Sequence, residues 1–208
     1  KLKEIIMNII KVRNKYEINE FHKITHYLYR NEPNWIPHIQ QEIEAVFNPL
    51  KNSYHKHGEI ERFILLENKK TIGRVSVFIN KRKQNEKNQS IGGMGFFECI
   101  NNQTAANLLF KTCVIWLKER NIEAMDGPIN FGEKDKYWGL MIEGFDKHTV
   151  YGQNYHLKYY RNLFENFGFK KYYNQHVYCK DLSIPYPDKF YERSERITTR
   201  KNIVFKHM

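Results

Sequence analysis

Glu98 is the side chain best suited by type and position to do chemistry, because it ends a β-rich run through Phe96 and Phe97 just before the clearest helix of the chain. A carboxylate there must either face a polar crevice or find a buried partner. Partial desolvation would raise its pKa and suit it to taking a proton from an amine, and a structural hydrogen bond to the adjoining loop is the competing reading. Asp126 and Asn130 flank Gly127-Pro128 after the next strand. Open α/β sheets hold ligands beyond the C-terminal ends of parallel strands, which gives the three polar residues one expected location. Tyr159 and Tyr160 fall on the last well-defined predicted helix, where a phenol could protonate a leaving thiolate or simply pack one ring inward.

Other chemistries lack their residues. His22 and His26 are four apart on a helix but have no acidic or sulfur ligands nearby in sequence, and His55 and His57 lie in a loop, so no metal site is expected. There is no G-x-S-x-G elbow and no G-x-x-x-x-G-K-[ST] loop, and Gly92-Gly93-Met94-Gly95 is not a dinucleotide fingerprint. Cys99 reads as a small buried thiol.

The elements that must position these groups follow from periodicity. Strands are expected over Ile5 to Val12, Arg62 to Glu67, Thr71 to Asn80, Ile91 to Ile100, Ile122 to Gly127 and Phe169 to Lys180. Asn68-Lys69-Lys70 makes the second and third a hairpin, and the glycines at 92, 93 and 95 allow a bulge or a close ligand approach. Helices are expected from Glu20 to Leu28, over the stripe Ile39, Ile43, Val46 and Phe47, from Gln103 to Arg120, and from Tyr155 to Asn166 with Gly168 as its C-cap. The long helix between the fourth and fifth strands makes a βαβ unit with a parallel pair. Pro128 to Gly152 is a glycine-rich, aromatic insertion that either lines a pocket or anchors itself to the body.

The chain has 208 residues, of which 41% are hydrophobic and 15% aromatic, so a packed core is expected. One domain over residues 1–182 with a peripheral extension or connector over 183–208 is the simplest division. The formal charge is +11, but the lysines and arginines run through the whole sequence and their denser groups, Lys69-Lys70 and Lys81-Arg82-Lys83, sit at turns. No nucleic-acid-binding element accompanies them, so a nucleic-acid partner is not expected. Cys99, Cys113 and Cys179 make no disulfide framework, and no apolar run is long enough to span a membrane. A cytoplasmic location without membrane partners is the expectation, and the start at Lys1 leaves a longer polypeptide open.

Several strings together resemble the GNAT superfamily of N-acetyltransferases, and more closely a group of bacterial acyltransferase-like proteins. They are Trp35-Ile36-Pro37, Phe47-Asn48-Pro49, Ile72-Gly73-Arg74-Val75, Gly95-Phe96-Phe97-Glu98, Asp126-Gly127-Pro128-Ile129-Asn130-Phe131, Gly139 to Phe145, and Gly168-Phe169. The resemblance implies a GNAT-like acyl-CoA N-acyltransferase fold, a central mixed sheet flanked by helices. It implies acyl-CoA or acetyl-CoA as cofactor, bound where two central strands splay and at the start of the helix after the fourth strand. Here that segment is Phe97, Cys99, Ile100, Asn101, Asn102, Gln103, Thr104 and Ala105, with Glu98 as the catalytic base toward a small-molecule or peptide amine. Backbone N–H groups at a helix start favour an anion such as pyrophosphate. The chain departs from the pattern in a shorter connector at Asn101 to Thr104, and in Phe164, which stands where many relatives carry a proton-donating tyrosine. These departures keep a second reading beside the first: a noncatalytic ligand-binding or interaction domain on the same scaffold.

Overall fold

The β-rich runs join into one five-stranded sheet in the order β1-β2-β3-β4-β5, comprising β1 (Met7–Lys11), β2 (Gly58–Glu67), β3 (Lys70–Asn80), β4 (Ile91–Cys99) and β5 (Ala124–Asp126). The computed structural model describes residues 7–82, 89–200, 202 and 204; Ile5, Ile6 and Lys83 lie outside them. The first four strands are antiparallel neighbours, and β4 and β5 are parallel. The β2–β3 hairpin turns on only two residues, Asn68 and Lys69, both at positive φ (49° and 67°), and Lys70 already belongs to β3. That geometry matches the right-handed twist of the flanking strands.

Helices cover both faces. The helices α1 (Lys15–Leu28) and α2 (Gln40–Phe47) contribute Phe21, Ile43 and Val46 to a core with Val12, Ile64, Phe78 and Phe131. On the other face α3 (Gln103–Lys118) and α4 (Tyr160–Phe167) bury Leu109, Phe110, Cys113, Leu163 and Phe164 against Leu65, Val75, Val77 and Phe97. α1 starts five residues before the expected Glu20, because Asn14 accepts from the Glu17 N–H while Glu17 accepts from the Asn14 N–H. This reciprocal cap satisfies orphan donors of the first turn. α4 starts at Tyr160 instead of Tyr155, and before it the Asn154 and His156 side chains bond the insertion at the Gly139 carbonyl and the Met141 N–H. Gly168 ends it in the left-handed region, with φ at 113°.

The strand expected over Phe169 to Lys180 does not form. Every residue from 170 to 200 is exposed, and no ladder includes 169–180. An extended β-rich run without a neighbouring strand has nothing to close its backbone bonds. The chain divides into two compact units, Lys1–Lys171 and Tyr172–Met208. Within the second, α5 (Asp188–Thr198) is exposed along its length, and Tyr186 stacks on Phe190 at 4.3 Å between ring centroids.

Two irregularities shape the middle of the sheet. Arg74 pairs with Glu98 and Ser76 with Gly95, so three steps along β4 oppose two along β3, and Phe96 takes a positive φ of 47°. This is a bulge, which re-aims the side chains beyond it. The β4–β5 ladder, moreover, covers only Ile91 to Gly93 with Ala124 to Asp126. Beyond one further bond, Ile129 N–H to the Met94 carbonyl at 2.8 Å, β4 runs on to Cys99 with no paired strand on that side among the described residues. Gly95 permits the close approach, as a Cβ there would lie 2.0 Å from the Ile129 carbonyl oxygen.

Candidate active site

The bulge sends Glu98 away from the Phe97 side of the sheet into a buried polar cluster. Glu98 Oε2 accepts from the Tyr29 hydroxyl at 2.7 Å and the Tyr160 hydroxyl at 2.8 Å. Oε1 faces the Arg74 guanidinium at 3.4 Å and is the less occupied oxygen. Arg74 also donates to the Phe21 carbonyl at 2.7 Å and lies 4.7 Å over the Phe21 ring, and its Nε is buried without a hydrogen-bond partner. Tyr29 is held from the side by Trp35, stacked at 5.0 Å, so the Trp35-Ile36-Pro37 string serves to fix a phenol against Glu98.

Burial pushes the Glu98 carboxyl upward, against the pull of the Arg74 charge and the two phenols. The same burial, with Glu98 beside them, drives Tyr29 and Tyr160 well above the ordinary phenol range. Both phenols therefore remain protonated donors at neutral pH. Glu98 is a carboxylate anchored on one oxygen and lightly held on the other, which is the condition for exchanging a proton with a bound amine.

A cavity of about 50 Å³ opens beside this cluster, lined by Arg74, Phe96, Glu98, His38, Tyr155 and His156 among others. His156 Nδ1 accepts from the Met141 N–H at 3.0 Å, so the neutral ring carries its proton on Nε2. Burial, with His38 nearby, lowers its pKa to about 3; burial, with Arg74 nearby, lowers that of His38 to about 4. Both are neutral imidazoles at pH 7. Among the described residues no group of His, Cys, Asp and Glu could hold a metal ion.

The segment expected to hold the cofactor is laid out around the start of α3. Phe97 is buried and stacks on Phe110 at 4.7 Å. Cys99 donates its N–H to the Tyr160 hydroxyl at 3.0 Å, and its carbonyl accepts from the Tyr159 hydroxyl at 2.7 Å. Burial raises the Cys99 thiol to about 12, so it is not a nucleophile at neutral pH. The Ile100 N–H pairs with the Ile72 carbonyl, Asn101 is exposed, and Asn102 caps the helix by accepting from the Ala105 N–H at 3.1 Å. Gln103 braces α4 through the Leu163 carbonyl and Asn166. The N–H groups of Gln103 and Thr104 are the orphan donors of this first turn, which contains no acidic residue.

Asp126 and Asn130 do not line the cavity. Asp126 is exposed, and Asn130 is buried beside Phe131, whose ring packs on Phe78 and His55. Pro128 alone of that stretch reaches it. The glycines 92 and 93 accommodate Leu117 and the Phe78 ring instead of a ligand. The insertion is anchored to the body by Tyr137 and by the Asn34 bond to the Phe145 carbonyl, and apart from Pro128 the cavity is closed by Asn154 to His156, which follow it in the chain. Sequence reasoning missed Tyr29, Arg74, His38 and His156. Arg74 had a readable signal, a charge in the middle of a buried apolar strand, which requires a partner.

Comparisons with known proteins bear on the fold. The structure superposes with a TM-score of 0.51 on a predicted acetyltransferase from Clostridium acetobutylicum solved with acetyl-CoA, at 17% identity over 87% of this chain and 100% of that one. It superposes equally, 0.51, on an aminoglycoside acetyltransferase from an uncultured soil metagenomic sample, at 9% identity over 84% of this chain and 95% of that one. The chain therefore has the GNAT acetyltransferase fold, the mixed sheet with flanking helices that the sequence strings imply. In sequence it is 26% identical to the bacterial ceramide synthase of Caulobacter vibrioides over 141 residues, 67% of this chain and 36% of that protein. It is 24% identical to protein YghO of Escherichia coli over 158 residues, 76% of this chain and 40% of that protein. The chain thus spans well under half the length of either relative. No family model matches it.

Proposed function

We propose that this chain is an acyl-CoA-dependent N-acyltransferase domain in which Glu98 takes the proton from an acceptor amine. The observation that carries the reading is the coincidence at one point of a bulged β4, its unpaired second half, and a buried carboxylate with one lightly held oxygen. The amine nitrogen, deprotonated toward Glu98 Oε1, attacks the thioester carbonyl; the C–N bond forms, the C–S bond breaks, and the thiolate leaves to be protonated. The orphan N–H groups of Gln103 and Thr104 and the dipole of the 16-residue α3 would hold the pyrophosphate of acyl-CoA. Support for that cofactor also comes from the fold's solved examples with acetyl-CoA and with CoA. Phe164 is buried among Phe97, Phe110 and Phe169, so the thiolate's proton must come from another donor. Tyr159 is the candidate, as its hydroxyl donates to the Cys99 carbonyl at 2.7 Å just before the start of α3.

Titration calorimetry with acetyl-CoA and a long-chain acyl-CoA tests the cofactor half of this reading. Saturable binding is the expected result, and no heat at about millimolar ligand rejects it. The same Phe164 environment favours the noncatalytic scaffold as second reading; cofactor binding without amide formation from any amine would select it. A domain limit at residue 182, a peripheral segment beyond it and a cytoplasmic location remain part of the proposal. Among the described residues no helix is long and apolar enough to cross a membrane.

A further inference from the structure

The polar cavity at Glu98 shares a wall with a second hollow. Pro37 and His38 line both, and the other walls of the second, of about 180 Å³, include Ile36, Ile39, Tyr137, Val150 and Tyr151. The character changes across that shared wall. The first hollow holds Glu98, Arg74 and His156, whereas Ile36, Ile39, Val150 and Tyr151 leave 50, 53, 58 and 61% of their surface exposed around the second. Large apolar side chains scattered singly on a surface need no explanation, whereas these four share one concavity.

The groove is also held in shape. Its two sides are the 36–42 segment leading into α2 and the 149–152 end of the insertion, and Glu42 fastens them together. The Tyr151 hydroxyl donates to Glu42, Lys136 Nζ bonds Glu42 at 3.2 Å, and the Tyr137 N–H donates to the Gly152 carbonyl at 2.6 Å.

We infer that the groove between Ile36–Ile39 and Val150–Tyr151 holds the aliphatic tail of an amine acceptor whose amino group enters the adjoining cavity at Glu98. The inference rests on the proposed function for the identity of the reacting head, and adds the class of acceptor: an amphipathic amine. An aliphatic chain could equally belong to the acyl donor. The acceptor is the occupant, because no residue of β4, α3 or α4 lines the groove, and those are the elements assigned to the cofactor.

Calorimetric titration of the chain with butylamine, octylamine and dodecylamine, each below its aggregation concentration, reads the tail without requiring turnover. Affinity should rise by about fourfold for each methylene that enters the groove, the equivalent of ~0.8 kcal/mol. Val150→Asn, at an exposed position, should weaken octylamine by about tenfold or more and leave butylamine within about twofold, as several methylenes lose apolar contact. Equal affinity for the three amines in the unmodified chain overturns the inference, whatever the variant does. A parallel series of acetyl-, octanoyl- and palmitoyl-CoA separates the two sources of chain: Val150→Asn weakening only the long acyl-CoA species places the donor's chain in the groove and also overturns it. Tail-dependent amine binding without amide formation would count against acyl transfer and keep the groove, whereas amide formation with flat amine affinities would do the reverse.

Discussion

Adjacent residues of β4 lead into two different worlds. Phe97 enters a face made of rings, stacked on Phe110 at 4.7 Å and edge-on to Phe164 at 5.0 Å, with Phe167 and Phe169 closing the cluster around Phe110. Glu98 enters a face made of hydroxyls, a guanidinium and neutral imidazoles. Tyr160 alone belongs to both: its ring lies edge-on to Phe97 at 5.5 Å while its hydroxyl donates to Glu98 and accepts from the Cys99 N–H. The buried charges, Glu98 and Arg74, are confined to the α1–α2 side of the strand, and α4 reaches them only through the hydroxyl of Tyr160. The α4 position where the resemblance expects a proton donor falls on the other side, in hydrocarbon, and Phe164 is what that side requires.

The sharpest way to break the contrast is to empty one face and then unbalance the other. Phe164→Ala should cost about 3–5 kcal/mol of stability in chemical denaturation, because a buried ring leaves a cavity among neighbours that relax only partly. Glu98→Gln should cost about 3 kcal/mol by leaving the Arg74 charge buried and unmatched. Adding Arg74→Met should restore most of that loss without restoring acyl transfer, which separates holding the fold from doing the chemistry. Tyr160→Phe should cost about 1–3 kcal/mol, as it orphans the Cys99 N–H and removes one donor from Glu98 while sparing the ring face.

The contrast is also sensitive to titration of the polar face. His156 has its pKa held at about 3 by burial, below the ordinary 6.5. Because the folded value is the lower one, its contribution is fully present above pH ~6.5 and declines as pH falls toward 3, by at most ~1.4 kcal/mol per pH unit. Melting temperatures recorded from pH 7 to pH 4 should fall, and His156→Asn, which keeps an acceptor for the Met141 N–H, should flatten the decline.

The two faces also differ in how far the sequence reveals them. The cofactor-side candidates, Phe97 to Ala105, are one continuous string ending in a helix cap, and strand, cap and helix periodicity are local signals. The polar face is assembled from positions 29, 38, 74, 98, 156 and 160, which only the folded topology brings together. Glu98 was legible because a carboxylate at the end of an apolar strand needs an explanation. Tyr29 was not, since a tyrosine at a helix end is compatible with any surface. The bulge was half legible: the glycines marked the strand as irregular, but the residue that takes the positive φ is Phe96, whose type gives no hint of it. The absent strand at 169–180 shows the converse, a local β pattern that fails for want of a partner.

The central claim, that Glu98 is the base of an amine acylation, is tested most directly by the rate at which CoA thiol is released from acyl-CoA in the presence of an amine acceptor. The unmodified chain and the Glu98→Gln variant should be compared at a temperature where both are folded and acyl-CoA affinity is shown to be equal. The variant should lose about 10²–10⁴-fold in rate, the range that general-base catalysis supplies. Equal rates of thiol release from the two proteins would contradict it.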